Sequence, residues 1–216
     1  MKLELKKRII TSIILLILLA LMFNYYYILF LSSIIIGMIS WVEFYGLITK
    51  IYKKNTIKQK IYRFISKSIS LIYLSYLVFL ITTNTDFKIY IYFSVLISIF
   101  TDIGGMVFGK IFKGKKLTKI SPNKTISGAI GSFCFSLFLV PFFIEQLNHL
   151  NIYLLVFFTM LICTTSQLGD LFISLLKRKA KVKDTSDLLP GHGGILDRID
   201  GIIFAIPIGF LLLKSF

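Results

Sequence analysis

The sequence predicts an all-α protein that forms a polytopic transmembrane helical bundle with about seven spans. Of its 216 residues, 56% are hydrophobic and only 16% are charged, which is too apolar for the surface of a water-soluble domain. Long apolar runs follow one another, most of them close to the roughly 20 residues that a spanning helix requires. Basic residues concentrate in alternate loops between these runs. These three observations place residues 1–216 in a bilayer as one membrane-embedded domain.

The seven apolar runs cover residues 9–24, 25–48, 65–83, 89–109, 126–144, 151–176 and 201–213. The first is expected to be a retained helix, because no small-residue cleavage site follows Phe23 and the next run begins at once. The last run is short for a span. Cys134 and Cys163 fall inside spans, where each behaves as a small apolar residue, and no metal-binding cysteine spacing occurs.

The net charge of +15 would suit a nucleic-acid-binding protein, but its distribution indicates membrane orientation instead. With seven alternating spans, 23 of the 25 basic residues fall on one side of the bilayer. The other side keeps Lys88 and Lys214, with Asn84 and Asp86 in its first loop. Because basic residues in short loops stay cytoplasmic, the amino terminus is predicted inside and the carboxyl terminus outside. No nucleic-acid partner is expected.

The three basic loops on the predicted cytoplasmic side differ in composition. Residues 50–67 are typical of an orientation anchor that meets anionic lipid headgroups. Loops 110–124 and 177–198 interleave glycine, proline, serine and acidic residues with their lysines, which a simple anchor does not need. We therefore expect function in the second and third loops.

Two acidic residues, Asp102 and Asp170, lie in or at the edge of apolar runs, where an unpaired carboxylate costs ~2.5 kcal/mol or more. They are expected to face a polar cavity. On a helix, Asp170, Ser174 and Lys177 would share one face, which places a carboxylate, a hydroxyl and a cation along one wall.

Asp197 and Asp200 stand three residues apart at the start of the last run, where they would project together near a helix N-terminus. Helix capping is the alternative interpretation. Several carboxylates beside many lysines suit Mg²⁺, which takes oxygen ligands and is usually held by one or two carboxylates plus substrate phosphates. Zinc does not fit these ligand types, and a second cation is left open.

Two glycine-containing segments are candidates for binding anionic groups. In the turn 190–194, three glycines would let backbone amides approach an anion closely, and His192 would donate a hydrogen bond. From Asp102 to Gly128, lysines, hydroxyls and exposed amides suit a polyphosphate. The Walker A pattern G-x-x-x-x-G-K-[ST] is absent, and no dinucleotide-binding G-x-G-x-x-G follows a predicted strand. A soluble nucleotide-binding fold is therefore not supported.

The third loop closely resembles the signature of phosphatidate cytidylyltransferases, also called CDP-diacylglycerol synthases. The matching residues are Ser174-Leu-Leu-Lys-Arg178, Lys183-Asp184, Ser186, Pro190-Gly-His-Gly-Gly194 and Asp197-Arg-Ile-Asp200. A second conserved region of that family resembles 102–110 and 121–125, and Trp41-Val-Glu-Phe44 is also similar. The family pattern usually has lysine at Asn123, an acidic residue at Ser127, glycine at Ser186 and serine at Gly201. The chain also has a helix or two fewer before residue 89 than the family.

The resemblance implies a dimeric, multi-pass enzyme of a bacterial-type inner or cell membrane, which makes CDP-diacylglycerol and pyrophosphate from CTP and phosphatidate. Residues 1–88 would be scaffold and dimerisation helices, and residues 89–216 the catalytic part on the cytoplasmic face. The implied metal ligands are Asp170 and Asp197. From the chemistry of the side chains, the catalytic residues are predicted to be Asp170, Lys177, Arg178, Asp184, Asp197 and Asp200. The predicted substrate-binding residues are Asp102, Ser121, Lys124, Thr125, Lys183, His192, Gly193 and Arg198.

Three other interpretations are compatible with parts of the pattern. Acidic residues inside spans also occur along ion paths, so a transporter or channel is an alternative, although no repeat or pair of matching broken helices supports it. A related enzyme that uses CTP on another lipid, such as a polyprenol kinase or a synthase for an ether-linked lipid phosphate, is the second. A degenerate copy of the enzyme is a third.

Overall fold

The structure of the chain is a computed structural model that describes residues 2–54, 56–83, 88–118 and 120–215. Within these ranges the regular secondary structure is helical, and the two isolated β-bridges lie in turns rather than strands. The all-α prediction is therefore confirmed for the described residues. The predicted outer loop with Asn84 and Asp86 lies outside them.

Nine helices form in the described part of the chain. They are α1 (Lys2–Asn24), α2 (Tyr26–Ile51), α3 (Ile57–Thr83), α4 (Lys88–Phe112), α5 (Ile126–Leu137), α6 (Val140–Phe143), α7 (Ile152–Lys179), α8 (Leu196–Ile199) and α9 (Ile202–Lys214). Five segments are long and apolar enough to cross a membrane, namely α2, α3, α4, Ile126–Phe143 and α7. The chain therefore fits a multi-pass membrane protein. A total of seven spans and the side of the amino terminus stay predictions.

The predicted run 126–144 is one apolar segment that the structure divides into α5 and α6. Pro141 lies in the first turn of α6 and has no amide hydrogen to donate to the preceding turn, which interrupts the helix. At the other end, the Thr125 hydroxyl accepts a hydrogen bond from the Gly128 amide at 3.0 Å and caps α5. The start of α5 is thereby tied to the end of the second basic loop.

The chain consists of two compact units. The first unit comprises Met1–Asn84 and Leu176–Ile199, and the second comprises Thr85–Leu175 and Asp200–Phe216. This division differs from the predicted one at residue 88, because most of the signature loop groups with the amino-terminal helices. Within the first unit, α2 packs against α1 and α3 and also contacts α8.

In the second unit, α4 packs against α5 and α9. Glycines allow α4 and α5 to approach closely, since a Cβ atom on Gly104 would collide with the Gly131 carbonyl and one on Gly131 with Phe108. Buried hydroxyls join the same helices, with 2.9 Å between the Thr101 and Ser136 oxygens. Small residues and hydroxyls therefore hold this unit together, as is typical of helices packed in a membrane.

Candidate active site

Asp197 in α8 is hydrogen-bonded through both carboxylate oxygens, and its side chain is only 3% exposed. Oδ1 forms an ion pair with Lys177 Nζ at 2.7 Å. Oδ2 accepts from the Thr185 amide at 2.8 Å, the Thr185 hydroxyl at 2.9 Å and the Gly194 amide at 3.0 Å. Oδ2 is therefore saturated, whereas Oδ1 keeps acceptor capacity beyond its bond to Lys177.

Two opposing influences act on the ionisation of Asp197. Burial would raise the pKa of this carboxyl, but the Lys177 ammonium and the amides of Thr185 and Gly194 hold the pKa below its usual value. The carboxylate is therefore negatively charged at neutral pH, as a ligand for a cation or a partner for a basic side chain must be.

Glu43 in α2 lies beside this cluster and is 6% exposed. Its Oε1 accepts from the Ser186 hydroxyl at 2.6 Å and the Ile195 amide at 3.0 Å. Its Oε2 accepts from the Thr185 hydroxyl and the Leu196 amide, both at 2.8 Å. Glu43 was not among the predicted site residues. It is nevertheless a charged residue inside an apolar run, which is the same signal that pointed to Asp102 and Asp170.

The glycine-rich turn before α8 is held by contacts with α1 and with Arg198. The ring of His192 lies 2.6 Å, through Nδ1, from the Thr11 hydroxyl, and Arg198 donates two hydrogen bonds to the His192 carbonyl. Gly193 has a φ of +80°, and a Cβ atom there would lie 2.9 Å from Asp197 Oδ2 and 3.1 Å from Asp184 Cβ. Glycine is therefore required at 193 by both conformation and space. The proposed contact of His192 with substrate stays a prediction.

Asp170 forms a second carboxylate–lysine pair, within the second unit. It is ion-paired with Lys124, and its Oδ1 accepts from the Ser174 hydroxyl at 3.2 Å. The predicted shared face of Asp170 and Ser174 is therefore confirmed by their contact. Lys177 follows in the same helix at the predicted spacing, and its ammonium is ion-paired with Asp197. The side chains of Lys124 and Asp170 are 26% and 23% exposed, so solvent reaches this pair.

The loop that carries Lys124 is ordered by its own hydrogen bonds. The Leu117 amide donates to the Lys124 carbonyl at 2.8 Å, and the Ser121 amide donates to the Thr118 hydroxyl at 3.2 Å. Next to these bonds, an open cavity of about 380 Å³ is lined by Lys116, Leu117, Thr118 and Pro122. The loop thus presents hydroxyls, amides and lysines to solvent, which suits an anionic ligand.

The other predicted site residues occupy separate positions. Asp200 follows the end of α8 and accepts from the Gly201 amide at 2.9 Å, so it does not share a helix with Asp197 as the spacing had predicted. Asp184 lies beside Gly193, and no ion pair joins it to a lysine among the described residues. Further predicted residues that are exposed are Asp102, Arg178 and Lys183.

The donor set of these clusters fits a magnesium ion. In the part of the chain that the structure describes, no three histidine, cysteine or acidic side chains gather as a protein-only metal cage. Mg²⁺ typically needs only one or two carboxylates, with water and phosphate oxygens completing its ligands. Asp170 and Asp197 each supply a carboxylate. Each carboxylate is paired with a lysine ammonium, at a position where a metal ion could bind in its place.

The long apolar helices place the chain in the class of multi-pass membrane proteins. Its two carboxylate–lysine pairs, Asp197–Lys177 and Asp170–Lys124, are charged groups of a kind that suits the binding of phosphate groups. The chain belongs to the cytidylyltransferase family, whose family model matches residues 2–216. This confirms the predicted resemblance.

Among the curated relatives of the chain are phosphatidate cytidylyltransferases from three staphylococci. The one from Staphylococcus haemolyticus (strain JCSC1435) is 44% identical over 136 residues, which cover 61% of this chain and 51% of the relative. The one from Staphylococcus epidermidis (strain ATCC 12228 / FDA PCI 1200) is 43% identical over 134 residues, which cover 61% of this chain and 51% of the relative. The one from Staphylococcus aureus (strain COL) is 41% identical over 143 residues, which cover 63% of this chain and 54% of the relative. The chain spans about half the length of the curated relatives it matches.

Proposed function

We propose that the chain transfers a cytidylyl group from CTP to phosphatidate, giving CDP-diacylglycerol and pyrophosphate. The observation that carries the proposal is the buried, ionised Asp197, bound to Lys177 in a segment that resembles the family's signature. The names of the curated relatives support the same reaction. A second carboxylate–lysine pair, Asp170 with Lys124, supplies further charges of the kind that phosphate chemistry requires.

The reaction needs no nucleophile from the protein. A phosphate oxygen of phosphatidate, already deprotonated near neutral pH, attacks the α-phosphorus of CTP. One phosphorus–oxygen bond forms to the lipid phosphate as the bond to the β-phosphate breaks, and pyrophosphate leaves with that electron pair. Positioning and charge neutralisation are therefore the main tasks of the side chains.

Asp170 and Asp197 would hold Mg²⁺, with Asp200 as a further ligand or support and a second cation left open. When bound, the ion would neutralise charge on the triphosphate and on the departing pyrophosphate. Binding at Asp197 Oδ1 would compete with Lys177, and binding at Asp170 would compete with Lys124. Both lysines would then be released to contact phosphate oxygens.

Basic and hydroxyl side chains are assigned to the two substrates. Cations for the triphosphate and the lipid phosphate are Lys124, Lys177, Arg178, Lys183 and Arg198. Neutral donors are Ser121, Thr125 and His192, and Asp102 and Gly193 would line the substrate site. Asp184, which is ion-paired with no lysine among the described residues, would orient a neighbouring lysine when substrate is bound. The basic loops support a cytoplasmic active site, where CTP is present and phosphatidate would enter from the inner leaflet. A homodimer is proposed as the working form.

The test is pyrophosphate release by the detergent-purified chain with Mg²⁺, phosphatidate and either CTP or ATP. Release with CTP alone is expected, and Asp197→Asn should lower it at least about 100-fold while helical content is retained. Lys54→Ala, an exposed cation of the anchoring loop, is the matched control and should be silent. Equal release with ATP, or none with any lipid phosphate, would contradict the proposal. Release with a polyprenol or an ether-linked lipid phosphate instead would reassign the substrate.

A further inference from the structure

Glu43 is a buried carboxylate whose four acceptor positions are all used, and none of its four partners carries a charge. Its partners lie 142 to 153 residues further along the chain, on both sides of the glycine-rich turn. One side chain of α2 therefore binds both ends of the segment 185–196. The glycines of that segment give it little stiffness of its own.

The hydroxyl of Thr185 connects Glu43 with Asp197. Its oxygen lies 2.8 Å from Glu43 Oε2 and 2.9 Å from Asp197 Oδ2. A hydroxyl has a single proton, so the two carboxylates share one donor and their positions depend on each other. Asp197 also receives the Gly194 amide, one residue before the Ile195 amide that binds Glu43.

We propose that Glu43 is a positioning residue, which clamps the segment 185–196 and thereby orients Asp197 for the reaction. Its kinetic consequence rests on the proposed function, whereas the clamp itself does not. Ser186 strengthens the clamp, because its hydroxyl donates a further hydrogen bond to Oε1 at 2.6 Å.

Glutamine cannot replace Glu43 in this arrangement. Each carboxylate oxygen binds one backbone amide, Oε1 that of Ile195 and Oε2 that of Leu196. Whichever way the glutamine amide is turned, its NH₂ group faces one of these backbone N–H groups. The backbone N–H group that meets the NH₂ group is left without an acceptor. The hydroxyl partners, by contrast, could rotate to accept a hydrogen bond from the NH₂ group.

The first measurement is tryptic cleavage of the full chain in detergent, without metal or substrates. Lys181 and Lys183 are exposed beside the clamped segment, so local opening is expected to raise the rate of cleavage there. Glu43→Gln should raise that rate about tenfold while cleavage within 50–67 is unchanged. Glu145→Gln, which changes an exposed glutamate of the second unit in the same way, should match the unmodified chain. A rate for Glu43→Gln within about twofold of the unmodified chain would overturn the proposal.

The shared hydroxyl is tested by a matched pair of variants. Thr185→Val keeps the shape of the side chain but removes the donor, and should cleave like Glu43→Gln. Thr185→Ser keeps the donor and should cleave like the unmodified chain. If Glu43→Gln cannot be purified folded, this pair and Ser186→Gly decide the question. Cleavage of Thr185→Val at the unmodified rate would then refute the clamp.

Kinetics separate positioning from a merely structural role. Per folded molecule, Glu43→Gln should lower kcat about 100-fold and change KM for CTP less than about threefold, because only the alignment of Asp197 is lost. An unchanged kcat per folded molecule would show a structural role alone. Altered cleavage without pyrophosphate release from the unmodified chain would refute the proposed function but leave the clamp. Pyrophosphate release from the unmodified chain, together with unaltered cleavage in every variant, would refute the clamp but leave the proposed function.

Discussion

Asp197 in the first unit and Asp170 in the second are both aspartates paired with a lysine, yet their surroundings differ strongly. Asp197 is 3% exposed and accepts four hydrogen bonds from three residues, two of them from backbone amides. Asp170 is 23% exposed and is bound by Lys124 and Ser174. The first carboxylate is held in place by the main chain, whereas the second can reorient at little cost. We infer that the carboxylate of Asp197 is preorganised and that the carboxylate of Asp170 is not.

The largest expected difference between the two pairs is in stability. Asp197→Asn leaves Lys177, whose side chain is only 12% exposed, without its anion and should lower the free energy of unfolding by about 1–3 kcal/mol. Asp170→Asn removes a solvent-screened pair and should cost less than about 1 kcal/mol. Thermal unfolding followed by circular dichroism in detergent measures both. Equal losses of unfolding free energy in the two variants would contradict the difference between the two carboxylate–lysine pairs.

Gly193→Ala tests how closely the main chain surrounds Asp197. The added Cβ atom would stand 2.9 Å from Asp197 Oδ2 on a backbone with φ of +80°, which should cost about 1–2 kcal/mol. Gly46→Ala is the control, since no atom lies within 4 Å of its added Cβ. In α2 that control should be neutral or stabilising by up to ~1 kcal/mol. A similar loss for both variants in unfolding experiments would contradict a tight loop.

A smaller effect is expected from pH. Because the folded pKa of Asp197 is lowered, its contribution to stability is present above the unfolded value of about 3.9. That contribution is lost as pH falls through the folded pKa. Unfolding measured from pH 6 down to about pH 3 should show this loss in the unmodified chain and in Lys54→Ala. Asp197→Asn should have a shallower slope, and an identical slope would argue against the lowered pKa.

The smallest change is predicted for Ser174→Ala, which removes the 3.2 Å hydrogen bond to the partly exposed Asp170. Water can replace the hydroxyl, so stability should fall by less than about 0.5 kcal/mol. Pyrophosphate release should change less than about threefold. A loss as large as that of Asp197→Asn would show that Asp170 is as tightly held as its counterpart.

Local patterns predicted much of what the structure contains. Apolar runs predicted the long helices, because a membrane-spanning helix needs a length and a composition that are visible in the sequence. The spacing of Asp170 and Ser174 predicted their contact, since four residues make about one helical turn. The helix break at Pro141 was not predicted, because the apolar run 126–144 is uninterrupted. A proline inside such a run does indicate a break, since it has no amide hydrogen to donate.

Lys177 shows what local spacing leaves out. It lies in α7 with the helical spacing to Asp170 and Ser174 that was predicted, but its ion pair with Asp197, 20 residues away, was not predicted. The lysine lies in the last turn of α7 and has a long, flexible side chain, so the path of the following loop determines its partner. Helical periodicity contains no information about that path.

By itself, the sequence determined the helical class, the long apolar segments and the aspartates, lysines and glycines that matter most. Only the tertiary structure decided which of them meet. Glu43 binds amides and hydroxyls 142 to 153 residues away, and its backbone partners belong to residues whose side chains are apolar. A buried carboxylate must find donors because its desolvation is costly, but main-chain donors exist at nearly every residue. Which of them it finds depends on the packing of α2 against α8, which no local pattern records.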